Sequence, residues 1–351
     1  MDGGPILSHA WSAVLNFAAG VGATSAQMLL SSGSSYSLIG LGVTLGIAAA
    51  FTLWRRRSKR AVSLRALMRA LLPRRLWRSA SGRADAIFTL FNIFLGMLLF
   101  GWAILGQGAV AAWTGQALTH AFGTVGALAP PPAAIATLTT LALFLAYEFA
   151  YWFYHYLSHK LPFLWRFHQV HHSAESLSLA TIFRVHPVDT IVFYNFVALF
   201  TGVTAGLLGF AFGEVAAPFT IAGSNVLLLA TAVLLTHLHH THLWISFGER
   251  WGRVLLSPAH HQIHHSADPA HFDRNFGNSL AIFDRLFGTL YVPAARREKL
   301  SFGVPGLGYD PHSFVRSFWM PFVATAGMVR GRATAFARSF KLPIRGGVDA
   351  A

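Results

Sequence analysis

The sequence contains no cysteine, which excludes both a disulfide framework and thiolate metal ligation. Any metal it binds must be held by nitrogen and oxygen. Charge is also scarce: 11% of residues are charged, with 13 acidic against 27 basic, where an ordinary soluble domain carries about a quarter. Residues 1–35 have neither Lys nor Arg, so the basic start of a signal peptide is missing and the segment is read as extracytoplasmic. No repeat of the solenoid or propeller kind is visible.

What fills the chain is apolar. Of 351 residues, 54% are hydrophobic, and the mean hydropathy is +0.49. Runs of about 20 apolar residues dominate the first two thirds and define an integral membrane protein. The formal charge of +14 does not indicate nucleic acid, because 11 of the 27 basic residues sit between two apolar runs, from Arg55 to Arg83. A basic loop beside a span is the positive-inside signal and is drawn to anionic headgroups; no aromatic-basic binding module accompanies it.

Ser37 to Trp54 runs into this cluster and so ends in the cytoplasm, and Ala86 to Leu105 crosses outward. Gln107 to Pro132, without basic residues, is expected to be an outside loop. Ala133 to Phe153 returns inward, and Val188 to Phe210 with Ala216 to Thr236 is expected to form a hairpin with its tip at residues 211–215. Ala10 to Leu30, rich in Gly, Ala and Ser, suits the interface or an extra span. Ser63 to Trp77 and Pro311 to Phe340 pattern as interfacial amphipathic helices. The expected fold is all-α and integral to the membrane, with about four to six transmembrane helices and a cytoplasmic histidine-rich di-metal cap. Three regions follow: an N-terminal membrane region over 1–132 with the basic loop 55–83, a catalytic domain over 133–293, and a basic interfacial tail over 294–351.

Fourteen of the 18 histidines fall in two windows. The first holds His155 and His159, then His168-Gln-Val-His171-His172. The second holds His237, His239, His240 and His242, then His260-His261-Gln-Ile-His264-His265, and closes at His271. Helical positions three or four apart share a face, so each HxxHH triplet and the HxxxH pair can aim imidazoles at one point. His9, His120 and His312 are isolated and read as structural, whereas His186 beside Pro187 and Asp189 is ambiguous. Eight or more imidazoles exceed the four that close a zinc site, so two metals are implied, and iron, zinc, copper and nickel all accept imidazole. Soluble di-iron bundles use Glu-x-x-His; here the spacing persists without the carboxylates. A neutral cage leaves the metals more positive, which suits an oxidant of unactivated carbon.

These motifs resemble the fatty acid hydroxylase and sterol desaturase superfamily of membrane di-iron oxygenases. The resemblance rests on Tyr151-Trp152-Phe153-Tyr154-His155 with His159 and on Leu164-Trp165-Arg166-Phe167-His168-Gln169-Val170-His171-His172-Ser173 with Glu175. It continues through Arg184, His186-Pro187, Ser257-Pro258-Ala259-His260-His261-Gln262-Ile263-His264-His265-Ser266, Asp273-Arg274-Asn275-Phe276-Gly277 and Asp284-Arg285-Leu286-Phe287-Gly288-Thr289. It implies two iron ions with dioxygen as co-substrate, and His155, His159, His168, His171, His172, His261, His264 and His265 as ligands. It also implies one ligand from a histidine followed by Ser or Thr, which His240-Thr241 fits best; His237, His239 and His242 are departures of this sequence and stay open as further ligands or as residues that orient them. Phe276 and Phe283 stand where relatives often carry Tyr and Trp.

Glu148, Glu175, Asp189, Asp273, Asp284, His186 and His260 are candidates for orienting the ligands, since metal-bound imidazoles donate their second nitrogen to a carboxylate or carbonyl. The expected activity is hydroxylation of a lipid C–H bond in an acyl chain, ether lipid or sterol-like molecule. No heme-binding or flavin domain appears in the sequence, so the electrons are expected from a separate donor protein. Desaturation on the same site is the nearest alternative, a membrane zinc hydrolase the next. A metal transporter fits less well, because the clusters lie at span ends and not along a path through the membrane.

Overall fold

The computed structural model describes residues 4–56, 63–124, 130–213 and 217–339. Arg57, Lys59 and Arg60 of the basic loop, part of the expected 211–215 tip and Phe340 lie outside the described residues. The described residues are mostly helical. In order come α1 (Gly4–Leu30), α2 (Leu38–Arg56), the short α3 (Leu64–Leu71) and α4 (Arg74–Arg78), α5 (Ala80–Phe91), α6 (Met97–Phe100), α7 (Gln107–Phe122) and α8 (Pro132–Lys160). There follow α9 (Pro162–His172), α10 (Pro187–Phe212), a hairpin of β1 (Thr220–Ile221) and β2 (Ser224–Asn225), α11 (Val226–Thr231), α12 (Gly248–Gly252), α13 (Pro258–His264), α14 (Ile282–Leu286) and α15 (Phe314–Ser339).

Four helical segments among the described residues are long and apolar enough to cross a membrane: Leu38–Arg56, Ala80–Phe122, Pro132–Lys160 and Pro187–Phe212. Two expectations change. Gln107 to Phe122 is a helix continuing the second of these segments, not a loop. The expected span over Ala216 to Thr236 is replaced by the β-hairpin and a shorter apolar helical run, Val226–His240.

The second segment is broken on its way. Asn92–Gly96 is a π-helical turn, and Gly101–Ala103 narrows to a 3-10 turn before the chain re-enters α7. Asn92 Nδ2 leaves the helix to donate to the carbonyls of Phe183 at 2.9 Å and Val185 at 3.4 Å. Backbone groups freed inside a bilayer need internal partners, and Asn195 on α10 supplies them. Its Oδ1 accepts from Leu105 N at 2.9 Å and its Nδ2 donates to Ala103 O at 3.0 Å. Past the break, α7 packs on α10 through Gly202 and Gly206, a small-xxx-small spacing. A Cβ on Gly202 would lie 2.6 Å from Val110 Cβ, and one on Gly206 2.6 Å from Ala111 O.

The chain between α9 and α10 is anchored by a fully buried ion pair, Arg184 with Asp85 of α5 at 3.2 Å. Asp85 also accepts from Thr181 Oγ1 and Ser178 Oγ, and Arg184 reaches Pro311 O ahead of α15. A buried charge pair is stable only when most of its remaining valences are filled; these partners fill all but Arg184 Nε, which has none among the described residues. Pro73 separates α3 from α4, so the expected Ser63–Trp77 helix is two short pieces. Leu71 of α3 packs with Ala48, Leu238 and Ile245, which seats the basic segment against the second histidine window. The α15 helix carries Pro321 and extends to Ser339, the last described residue.

Candidate metal centre

The histidines come from the end of one long helix, two short helices and a 3-10 turn. His155 and His159 project from the last turns of α8, and Pro162 starts α9, which presents His168, His171 and His172. On α13, a capping box between Ser257 and His260 opens the helix, Pro258 fixes its first turn, and His261, His264 and His265 follow. His240 arrives from a 3-10 turn after the apolar run.

The nine histidines named by the motif form two groups, each with ligand nitrogens within 4.8 Å of one another. His155, His159, His168, His172 and His264 make one; His171, His240, His261 and His265 make the other. Residues four apart share a face while adjacent residues diverge by about 100°. Hence His168 and His172 enter the first group and His171 the second; likewise His261 and His265 enter the second and His264 the first. Each HxxHH triplet feeds both centres. The groups adjoin, with the His172 and His265 rings stacked at 4.5 Å.

The second group cannot be explained by hydrogen bonds. His240 Nε2 lies 3.1 Å from His171 Nε2 and 2.9 Å from His261 Nε2, and His261 Nε2 lies 3.1 Å from His265 Nε2. An imidazole nitrogen has a single in-plane site, holding either a proton or a lone pair, so neither His240 Nε2 nor His261 Nε2 can satisfy two neighbours. Nitrogens bound at about 2.0–2.1 Å to a shared cation fall at about these separations from one another. In the first group His172 Nε2 is likewise shared, at 3.2 Å from His159 Nε2 and 3.1 Å from His264 Nε2.

Burial pushes His171 and His264 down to about 3, with nearby imidazoles adding to the effect, and His172, His261 and His265 are pushed well below the usual range for the same reasons. Neutral imidazole is the form that ligates a metal. Several rings are also fixed at their other nitrogen: His155 Nδ1 donates to Phe276 O at 2.8 Å, His264 Nδ1 to Arg274 O at 2.8 Å, and His168 Nδ1 to Asp189 Oδ2 at 3.0 Å. His168 Nε2 is then buried with no partner among the described residues. Donor set, spacing and protonation all fit a pair of metal ions.

The candidate carboxylates separate into different roles. Asp189 touches a clustered histidine directly and also accepts from Tyr154 O–H at 2.5 Å, a partner the sequence reading missed. Asp284 and Glu148 hold the loop that follows α13 instead. Asp284 accepts from the N–H groups of Phe276 and Gly277, at 2.9 and 2.8 Å, and so fixes the carbonyl that receives His155. Glu148 accepts four bonds, from Asn278 Nδ2, Ser279 N, Ser279 Oγ and Leu280 N. Asp273 pairs with Lys160, and the exposed Glu175 pairs with His312 at 3.2 Å; neither contacts a clustered imidazole.

The extra histidines lie outside both groups. His186 caps α10 by accepting from Val188 N and donates to Phe318 O, and His260 serves the capping box and reaches Gly252 O. His242 donates to Ala70 O of α3, while the buried His237 packs on Gly40. His239 stacks on His261, centroids 5.3 Å apart. Asp189 and Glu148 were visible as lone acids in apolar or aromatic surroundings, but nothing in the sequence marked Tyr154 or the Asn278-Ser279 pair as their respective partners.

These features define a class: a helical protein of the membrane type whose span ends and cap converge on two adjoining imidazole clusters. Residues 140–289 match the family model described as fatty acid hydroxylase. It is 28% identical over 200 residues to an alkylglycerol monooxygenase of Homo sapiens, covering 54% of this chain and 39% of the relative. The Xenopus tropicalis alkylglycerol monooxygenase is 30% identical over 191 residues, covering 52% and 38% respectively. The ornithine lipid hydroxylase OlsE of Rhizobium tropici is 29% identical over 257 residues, covering 70% of this chain and 69% of the relative. The chain thus spans about two fifths of the length of the monooxygenases it matches. No solved structure matches.

Proposed function

We propose that this chain is a membrane di-iron monooxygenase that hydroxylates a C–H bond of a lipid. The observation that carries the reading is the pair of imidazole clusters whose shared nitrogens no arrangement of protons satisfies. The nine clustered histidines would be the ligands, with Asp189, the Phe276 carbonyl and the Arg274 carbonyl fixing His168, His155 and His264. When bound, the irons supply activation of dioxygen and abstraction of hydrogen from an unactivated carbon. The balance is one oxygen atom into the C–H bond and one into water, with two electrons and two protons supplied by a separate donor protein and solvent. The chain's own part is to hold the nine rings in a buried site and to exclude water from it. The cap's binding to α8 through Glu148 and Asp284 does the latter.

The clusters are assigned to the cytoplasmic side. Arg55 and Arg56 end α2, the basic α3 and α4 follow, and His242 is bonded to Ala70 within that segment, so basic face and histidine window share one side. Residues 133–293 would then be the catalytic domain, between the membrane region 1–132 and the tail 294–351. The test is incorporation of oxygen-18 from labelled dioxygen into membrane lipids of cells expressing the protein. A product carrying one labelled oxygen supports the reading; loss of two hydrogens without oxygen identifies a desaturase instead, and unlabelled products refute oxygenation.

A further inference from the structure

The loop that follows α13 reaches far along α8. Glu148 accepts from Asn278, Ser279 and Leu280. At about 1.5 Å per residue, Glu148 lies about 18 Å before the end of α8 at Lys160 and about 10 Å deeper than His155. That depth falls inside the apolar stretch Ala133 to Phe153, read from the sequence as a span. Irregular backbone is tolerated there only where protein satisfies its polar groups, and Glu148 does so for residues 278–280. The short α14 follows and stays at this level: Phe283 meets Phe149 of α8 with centroids 5.3 Å apart, and Phe287 stacks on Trp152 at 4.3 Å. Phe149 also meets Phe200 of the spanning α10 at 5.2 Å.

The outer side of this loop is apolar. Trp251, Val254, Ile282, Leu286 and Phe287 are each between 45% and 69% exposed. They are neighbours: Val254 N donates to Trp251 O at 3.0 Å, Ala281 N donates to Val254 O at 2.9 Å, and Ile282 and Leu286 lie four apart on α14. Around them stand the exposed Arg250, Arg253 and Arg285, against one acid, Glu249, which Arg253 engages. A contiguous apolar patch ringed by basic side chains suits a phospholipid interface, with the apolar groups among acyl chains and the guanidinium groups at the phosphates. The opposite end of the cap differs. Asp273 pairs with Lys160 at the end of α8, which sets the neighbouring Phe272, itself 52% exposed, far from the level of Glu148.

We propose that this patch is a membrane contact: through Trp251, Val254, Ile282, Leu286 and Phe287 the cap is seated in the phospholipid leaflet beside the histidine clusters. The occupant is lipid because the patch continues the surface of two spanning helices, α8 and α10, at a depth their own apolar residues share. The cap that carries His261, His264 and His265 is thereby anchored in the leaflet and not suspended in water. The contact is independent of the reaction catalysed; only the naming of that leaflet as cytoplasmic rests on the topology assigned above.

The chain has no cysteine, so a single spin label can be attached at a chosen site. Trp251→Cys, Val254→Cys, Leu286→Cys and Phe272→Cys are each nitroxide-labelled in the full-length protein, in phosphatidylcholine nanodiscs. Power-saturation EPR then compares collision with oxygen, which concentrates in lipid, and with a nickel chelate, which stays in water. The three patch labels should collide several-fold more with oxygen than with the chelate, and the Phe272 label should show the reverse. All four sites are on the surface, and an unchanged thermal melt shows that a variant is folded; any one folded patch variant beside Phe272→Cys decides the question. Chelate-favoured collision at the patch puts it in water and overturns the proposal. Labels shielded from both reagents put the patch under protein and overturn it too, with dipolar broadening identifying a second copy. Oxygen-favoured collision at Phe272 as well places the whole cap in lipid and overturns the seating proposed.

Discussion

Replacing Asp189 with Asn should weaken one metal centre and leave the other intact. Asp189 Oδ2 receives the Nδ1 proton of His168 at 3.0 Å, and Oδ1 is held by Tyr154 at 2.5 Å, so the carboxylate sets the ring's tautomer and raises its basicity. His168 belongs to the five-histidine group; among the described residues, no carboxylate bonds to a ring of the four-histidine group. Asn keeps the shape and one acceptor but removes the charge, and its amide N–H₂ can replace only one of the two acceptor oxygens. Loss of such a partner costs about 10–100-fold in metal affinity, equivalent to about 1.4–2.7 kcal/mol. Competition titration of the metal-free protein against a chromophoric chelator should resolve two binding steps in wild type and weaken one of them in Asp189→Asn. Tyr154→Phe should shift that same step by a smaller factor. Two unchanged steps, or two equally weakened ones, would refute the assignment of Asp189 to a single centre.

Glu148→Gln should loosen the cap, because either amide orientation turns N–H₂ toward two of the four donors that Glu148 now accepts; a loss of about 2–4 kcal/mol is expected, read as faster amide exchange over residues 276–280, and unchanged exchange would contradict it. Gly206→Val should push α7 off α10, since even a Cβ there meets Ala111 O at 2.6 Å; a destabilisation of about 1–3 kcal/mol or more should appear as a lower Tm in detergent, and an unaltered Tm would show that the contact yields. The metal-free protein should lose stability in mild acid. His171 and His264 titrate near 3 when folded and near 6.5 when unfolded, so the unfolded state binds more protons between those values. Stability is therefore complete above about pH 6.5 and declines below it by about 1.4 kcal/mol per pH unit per ring. A Tm that is flat between pH 7.5 and 5.5 would contradict the burial of these rings.

The histidine spacing carried most of the site, because the geometry of a helix converts i, i+3, i+4 directly into facing side chains. It also explains why each triplet divides between two centres, which a linear reading does not display. Spans were legible where a long apolar run is also a single helix, as in α8 and α10. They were not where polar side chains interrupt the run for tertiary reasons: the break after Asn92 depends on carbonyls about 90 residues away and on Asn195, and α7 looked like part of a loop because residues 107–132 lack basic residues and end in three prolines, whereas it is held as a helix by packing on Gly202 and Gly206 of α10. The carboxylates were found as residues but not as roles. Whether an acid meets an imidazole, as Asp189 does, or a loop, as Glu148 and Asp284 do, is decided by long-range contacts that local sequence does not encode.

The central claim is that the nine clustered histidines hold two irons. Metal analysis of the detergent-purified protein from iron-replete cells, joined to its optical spectrum on reduction and re-exposure to air, addresses it most directly. The account predicts about two irons per chain, following from one ion per cluster, and a spectrum that changes with oxygen after reduction. Stoichiometric zinc that iron does not displace, with no redox response, would contradict it and make a hydrolytic centre the better reading.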